Sequence, residues 1–374
     1  MKFVVSSSVL LKQLSAISGV IASNPVVPIL ENFLFGLESG KLTITASDLQ
    51  ISMITELDVE SRNNGQIAVP AKILLDTLKG LPEQPVTFSV DEETYGIEIS
   101  SDNGRYKLSG ENAADFPKVP AVSRAHAVEF TADALGRALG NTLFATSTDD
   151  LRPAMTGVFV HLNDAETTFV ATDGHRLIRY RRSDISSPDE ASLIIPRKAL
   201  TLIKASLPAD DTAVRLEWNP SNAFFSFGNI RMICRLIDER FPDYENAIPA
   251  NNPNKLTINR TELLASLKRI SIYANKATHQ VRFRIGDRQL QISAEDLDFS
   301  NEANETLPCE YDGSEMEIGF NARFLIEMLN NLASRNVELE MSAPNRAGLI
   351  KPQDKEENEN ILMLVMPVML NNYA

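Results

Sequence analysis

The stretch LIIPRKALTLIK, Leu193 to Lys204, decides the fold, because it is the middle one of three related passages. It reads as an apolar strand running into Pro196 and then a Leu/Ile-rich helix, with proline suited to a helix start. IAVPAKILLDTL, Ile67 to Leu78, has the same order 126 residues earlier. IGFNARFLIEML, Ile318 to Leu329, has it 125 residues later, with Asn321 as N-cap and Arg323 at the Lys198 position. A repeat at fixed period settles the architecture before any single motif does.

Working outward, a first helix precedes each passage. Its i, i+4 leucine pair is Leu10/Leu14, then Leu135/Leu139, then Leu263/Leu267. Alternating strands lead into an acidic turn at Asp48, Asp173 and Asp296. Period-two strands follow the second helices at Val86/Phe88/Val90, Val214/Leu216/Trp218 and Val337/Leu339/Met341. Each unit is thus a sheet carrying two helices, and the fold class is α+β three times over. Phe116–Pro120 and Pro249–Asn254 read as linkers, which predicts domains at 1–121, 122–250 and 251–374. Helices are expected over 8–20, 70–81, 132–146, 196–207, 259–274 and 321–334.

The chain has 374 residues, 43% hydrophobic and 23% charged, which suits a folded protein of two to three domains. Cys234 and Cys309 stand alone, without partners at ligand spacing, so a disulfide framework or thiolate zinc site is unsupported and a reducing compartment is expected. Ser6–Ser8, Lys12 and Gln13 interrupt the apolar start, which reads as folded chain. The longest apolar run, Ile361–Leu370, is too short to span a membrane. The net charge of −14 repels nucleic acid unless bases are segregated. Segregated they are: the six helix windows carry eleven bases against four acids, a net +7, which leaves −21 for the rest. With the leucine stripes packed on the sheets, the bases are expected on the opposite, solvent faces.

Three repeats together with ATDGHRL (Ala171–Leu177), RFPDY (Arg240–Tyr244) and VMPVML (Val365–Leu370) resemble the bacterial sliding clamps, the beta subunits of DNA polymerase III. The resemblance covers essentially the whole chain. It implies three clamp domains with outer sheets and inner helices that form half of a ring, closed by a head-to-tail homodimer around duplex DNA. It implies a processivity factor of the cytoplasm, without membrane contact, cofactor or metal. The implied partners are the replicative polymerase catalytic subunit, the clamp loader, and other polymerases and repair factors carrying a short Leu/Phe-containing motif. By family position, Lys12, Lys72, Arg197, Lys198 and Lys268 would face DNA. The peptide pocket would comprise Met155, Thr172, Gly174, His175, Arg176, Leu177, Pro242, Asn321, Phe324, Leu364, Val365, Met366, Pro367, Val368, Met369 and Leu370. The dimer contact would join Arg105, Tyr106, Lys107 and Leu108 to Ile272, Tyr273 and an acidic stretch holding Glu295, Asp296, Asp298, Glu302 and Glu305.

Departures from the family pattern fall at Asn24, Asn246, Ala247, Thr278, Met369 and the extension Asn371–Ala374. An enzymatic reading would use Asp173 and His175 as an acid/base pair, but no nucleophile or nucleotide motif accompanies them. His126, His161 and His279 show no metal-ligand spacing. The competing reading is a three-repeat peptide- or polyanion-binding scaffold that forms no ring.

Overall fold

The computed structural model describes residues 1–120 and 126–370. The expected boundary after residue 121 and the extension Asn371–Ala374 lie outside the described residues. Among the described residues, six α-helices form where the repeats place them: α1 (Ser7–Ser18), α2 (Ala71–Gly80), α3 (Ala132–Thr142), α4 (Arg197–Ser206), α5 (Arg260–Ile270) and α6 (Ala322–Asn330). α3 and α5 end before their expected limits because Leu143–Ala145 and Ser271–Tyr273 tighten into single 3-10 turns. Asn321 caps α6, its Oδ1 accepting the Arg323 N–H at 3.0 Å. Leu10, Leu14 and Ile17 of α1 and Leu263, Leu267 and Ile270 of α5 are buried. Each contributes roughly 1.5–3 kcal/mol by leaving water.

The strands of the described residues form four antiparallel sheets of five, eight, nine and five strands. Compact packing divides the chain into two units, Met1–Gly136 with Lys198–Leu236, and Arg137–Arg197 with Ile237–Ala374. The units cut across the sequence repeats because each is built on a long sheet that two consecutive repeats share. In the eight-stranded sheet, Ile51–Asp58 of the first repeat pairs with Ile230–Arg235 of the second. In the nine-stranded sheet, Arg176–Arg182 of the second repeat pairs with Glu359–Val365 of the third.

Both junctions use one register. From the aligned residues Ile67, Leu193 and Ile318, the pairings run Ile67–Phe35–Ile44–Thr55, Leu193–Val160–Phe169–Tyr180 and Ile318–Phe283–Ile292–Glu305. On the other side of each repeat they run Phe88–Ile99–Tyr106, Leu216–Phe225–Met232 and Leu339–Ile350–Met363. Thr55 then pairs with Ile230, two residues before Met232, and Tyr180 with Ile361, two residues before Met363. Two edges have no such partner among the described residues: Arg105–Ser109 closes the first five-stranded sheet, and Asn301–Pro308 closes the last.

A polar clamp marks each of these positions. The Thr55 hydroxyl donates to Gln13 Oε1 at 2.7 Å, and Asn229 donates to the same oxygen at 2.8 Å. The Tyr180 hydroxyl donates to the buried Glu359 carboxylate, which also receives Arg137 at 2.7 Å and Arg182 at 3.2 Å. Burial and Glu359 push the Tyr180 phenol pKa up, so it acts as a neutral donor. Glu305, at the open edge, takes a two-point contact from Arg269 at 2.6 and 2.7 Å. Both cysteines are free, and burial pushes the Cys234 thiol up to about 12.

Candidate functional sites

The ATDGHRL segment folds as an acidic turn for a local reason. Asp173 Oδ1 accepts the backbone N–H groups of His175 at 2.9 Å and Arg176 at 3.0 Å, and Asp48 does the same for Gln50 and Ile51 at 3.0 and 2.7 Å. Gly174 takes a φ of +91°, the left-handed region that favours glycine, while the Arg152 guanidinium 2.7 Å from where a Cβ would stand is the tip of a flexible side chain that could move aside. Asp173 is therefore occupied in holding the turn, and the His175 ring instead stacks on Phe324 at 6.1 Å. The acid/base reading of this pair finds no geometric support.

Arg176 locks the turn into its surroundings. Its side chain is buried, with Nε 3.1 Å from Asp173, Nη2 donating to the Phe144 carbonyl at 2.7 Å and Nη1 paired with Glu327. The guanidinium lies 4.7 Å from the Phe324 ring centroid and 5.3 Å from that of Phe144. Arg176→Ala should cost about 1–3 kcal/mol, because it leaves the half-buried Asp173 carboxylate and the Phe144 carbonyl without their charged donor, whereas the exposed Glu327 returns to water. A denaturant titration that moves by less than 1 kcal/mol would contradict this.

The predicted pocket residues lie in one unit but play different parts. Thr172, Leu177 and Leu364 are buried on one sheet face and form a floor, with Leu177 opposite Leu364, whereas the buried Val365, opposite Arg176, points to the other face. Met366 N–H donates to the His175 carbonyl at 2.8 Å, and Pro367 and Val368 pair with Phe320 and Gly319. Met366 and Met369 remain 44% and 71% exposed, so two soft side chains border the floor. Met155 and Pro242 are half-buried, the first on the 3-10 turn Pro153–Thr156. The sequence reading missed the apolar wall over this floor: Phe241 clusters with Val170, Leu177, Ile194, Leu349, Leu362 and Leu364, and Tyr244 and Ile248 pack against them. RFPDY contained that signal, yet only Pro242 was taken from it. Asn246 and Ala247 are exposed, and Asn246 donates to Asp243 at 2.6 Å.

The helix bases divide into two groups, which corrects the expectation that all face solvent. Arg137 and Arg260 are half-buried, the first held by Glu356 and Glu359 and the second donating to the Leu329 and Ser334 carbonyls, whereas Arg269 stays exposed though paired with Glu305. Lys12, Lys72, Arg197, Lys198 and Lys268 are exposed. Lys198, however, lies 2.5 Å from Asp48 Oδ2 and 3.2 Å from the Val20 carbonyl, so its charge is largely spent on the turn. Lys268 is 3.4 Å from Asn330.

At the two open edges, Arg105 and Lys107 project beside Glu98, and Tyr106 and Leu108 are half-buried against Ile99 and Ile97. Ile272 and Tyr273 are 68% and 43% exposed. Asp296 is not available to a partner: it is 2% exposed, and its Oδ1 accepts the Asp298 N–H at 3.2 Å. Leu297 and Phe299, 67% and 70% exposed in the same turn, escaped the sequence reading because they sit inside an acidic run. Among the described residues no helix is long and apolar enough to cross a membrane, and no cluster of three or more His, Cys, Asp or Glu could hold a metal ion.

Comparison with known proteins gives a consistent result along the chain. DNA polymerase III beta subunit domains match in order, the N-terminal domain over residues 1–120, the central domain over 129–243 and the C-terminal domain over 245–369. The beta sliding clamp of Escherichia coli strain K12 is 31% identical over 373 residues, covering 99% of this chain and 100% of that protein. That of Vibrio cholerae is 30% identical over 371 residues with the same coverage. The crystal structure of a sliding clamp (DNA polymerase III subunit beta) from Pseudomonas aeruginosa bound to griselimycin matches with a TM-score of 0.93 at 28% identity, covering 99% of this chain and 100% of that one. The chain belongs to the DNA polymerase III beta subunit family, the beta sliding clamps.

Proposed function

We propose that the protein is a DNA polymerase processivity factor: two copies close head to tail around duplex DNA and tether polymerases through the cleft beside Met366. As a member of its family it is a non-catalytic subunit. The domains run 1–121, 122–250 and 251–374, each repeat contributing one third of a half-ring. The observation that carries the ring is the shared register of the two internal junctions. Continued once more, it sets Tyr106 opposite Ala303 of the partner subunit, and Lys107 opposite Glu302 of the partner subunit. A head-to-tail contact that repeats an internal one closes into a ring when its rotation divides the circle, as six quasi-equivalent domains allow. A basic edge meeting an acidic one also sets direction.

Lys12, Lys72, Arg197 and Lys268 supply a sequence-independent attraction to phosphate that leaves the clamp able to slide, and Lys198 acts mainly by holding Asp48. Arg197→Glu should shorten processive products without changing thermal stability, whereas Lys198→Ala should lower stability more than product length. Equal product length for Arg197→Glu and wild type would remove Arg197 from the DNA face. The cleft takes a short peptide with Leu/Phe side chains, the chemistry suited to an apolar floor with methionine rims. Such peptides belong to the replicative polymerase, the clamp loader and other polymerases and repair factors, all acting in the cytoplasm. Negative-stain electron microscopy at low micromolar concentration tests the reading. Six-lobed rings are expected; compact or crescent particles without a hole would favour the non-ring scaffold.

A further inference from the structure

At each internal junction the hairpin turn of one repeat reaches the first turn of the second helix in the next. The Asp48 turn meets α4, where Lys198, the second residue of the helix, lies 2.5 Å from Asp48 Oδ2. The Asp173 turn meets α6, where Phe324, the third residue, stacks on His175 at 6.1 Å and Glu327 pairs with Arg176. The third residue of α2 is Ile73, and it stands 51% exposed.

The third hairpin borders the open edge Asn301–Pro308, and it is the longest of the three. Thr55 pairs with Ile44 and Tyr180 with Phe169, eleven positions back, whereas Glu305 pairs with Ile292, thirteen back. One more residue on each strand carries the tip about 3 Å further. On that tip, residues 297–300, Leu297 and Phe299 are 67% and 70% exposed. It is a built turn: the Phe299 N–H donates to the Asp296 carbonyl at 3.2 Å, and the buried Asp296 carboxylate accepts the Asp298 N–H. Ile272 and Tyr273, also exposed, lie in a 3-10 turn packed beside the same two strands. Four large apolar side chains gathered in water beside an acidic run mark an interaction surface.

We propose that Leu297 and Phe299 pack on Ile73 of the partner subunit, a contact that repeats between copies what His175 and Phe324 do within one. The inference rests on the head-to-tail dimer proposed above and gives it a second point of contact beyond the edge strands. The order fits. Each internal turn meets the helix of the repeat that its own strand joins, and the register that sets Glu302 opposite Lys107 of the partner subunit joins the third repeat to the first. The three contacts differ in chemistry: an ion pair at the first, an aromatic stack at the second, apolar packing at the third. Salt screens a basic edge meeting an acidic one but leaves apolar burial intact, so this contact holds the dimer where the edge charges weaken.

The test removes the half-buried thiol with Cys309→Ser, introduces Ile73→Cys together with Phe299→Cys in the full chain, and treats the protein with a short bis-maleimide. Cys234 stays unreactive because it is buried and protonated. A covalent dimer on denaturing gels is expected from the pair and not from either cysteine alone. In a second arm, Leu297→Ser with Phe299→Ser should leave circular dichroism unchanged, since both side chains are exposed in the single chain. The same change should raise the dimer dissociation constant at least about tenfold by sedimentation. Failure of either result overturns the proposal. If the wild-type chain sediments as a dimer while either fails, the ring stands with the hairpin outside its interface. A wild-type chain that sediments as a monomer would bring down the ring reading as well, so the two failures are told apart.

Discussion

Leu108→Asp should turn the dimer into monomers and abolish processive synthesis while the chain stays folded. Leu108 is half-buried on the edge strand Arg105–Ser109, backed by Ile97. The internal junctions show what covers such a position: Cys234 and Val365, its counterparts, are 0% and 1% exposed once a neighbouring strand has paired. Closure therefore buries most of what Leu108 still exposes, and an aspartate there forfeits roughly 1.5–3 kcal/mol of apolar burial. It also takes a carboxylate out of water on the sheet face opposite to the one that carries Lys107. Together these weaken association by at least about 100-fold, since each 1.4 kcal/mol is tenfold. Sedimentation velocity at low micromolar concentration should show a monomer with unchanged circular dichroism. A variant that still sediments as a dimer would exclude this edge from the interface.

Deleting Met366–Ala374 should have an effect of comparable size on the other function, abolishing peptide binding while the dimer persists. The deletion removes the exposed Met366 and Met369 side chains and the Met366 N–H bond to His175. It also strips the Pro367–Val368 strand from Phe320 and Gly319. The apolar floor of Leu177 and Leu364 remains, so the loss isolates the rim rather than the whole cleft. Binding of a fluorescent Leu/Phe-containing peptide should fall below detection, and sedimentation should still report a dimer, because the edges Arg105–Ser109 and Asn301–Pro308 are untouched. Peptide affinity within a few fold of wild type would place the cleft elsewhere.

Much of the candidate site was readable from sequence because its parts are contiguous. ATDGHRL forms its own turn through Asp173, and VMPVML supplies the exposed methionines that follow the floor strand. Other features were invisible for a physical reason. Asp296 looks like its acidic neighbours, yet it is consumed by its own turn, and an aspartate that caps backbone N–H groups cannot be told in sequence from one that faces a partner. Phe241 and Tyr244 lie in a linker without periodicity, where no pattern announces burial.

The sequence by itself determined the six helices, the alternating strands and their threefold recurrence, because each follows from apolar spacing within a few residues and three copies reinforce one reading. Only the tertiary structure decided which strands join across repeats, since pairing of Thr55 with Ile230 or Tyr180 with Ile361 links residues more than 170 positions apart and no local pattern encodes it. It also decided the fate of each charge. Arg137 and Lys12 occupy the same place on equivalent helices, but Arg137 meets Glu359 and Glu356 while Lys12 meets no ion-pair partner among the described residues. A base is exposed or neutralised according to what a distant segment brings beside it, and that proximity is a property of the fold.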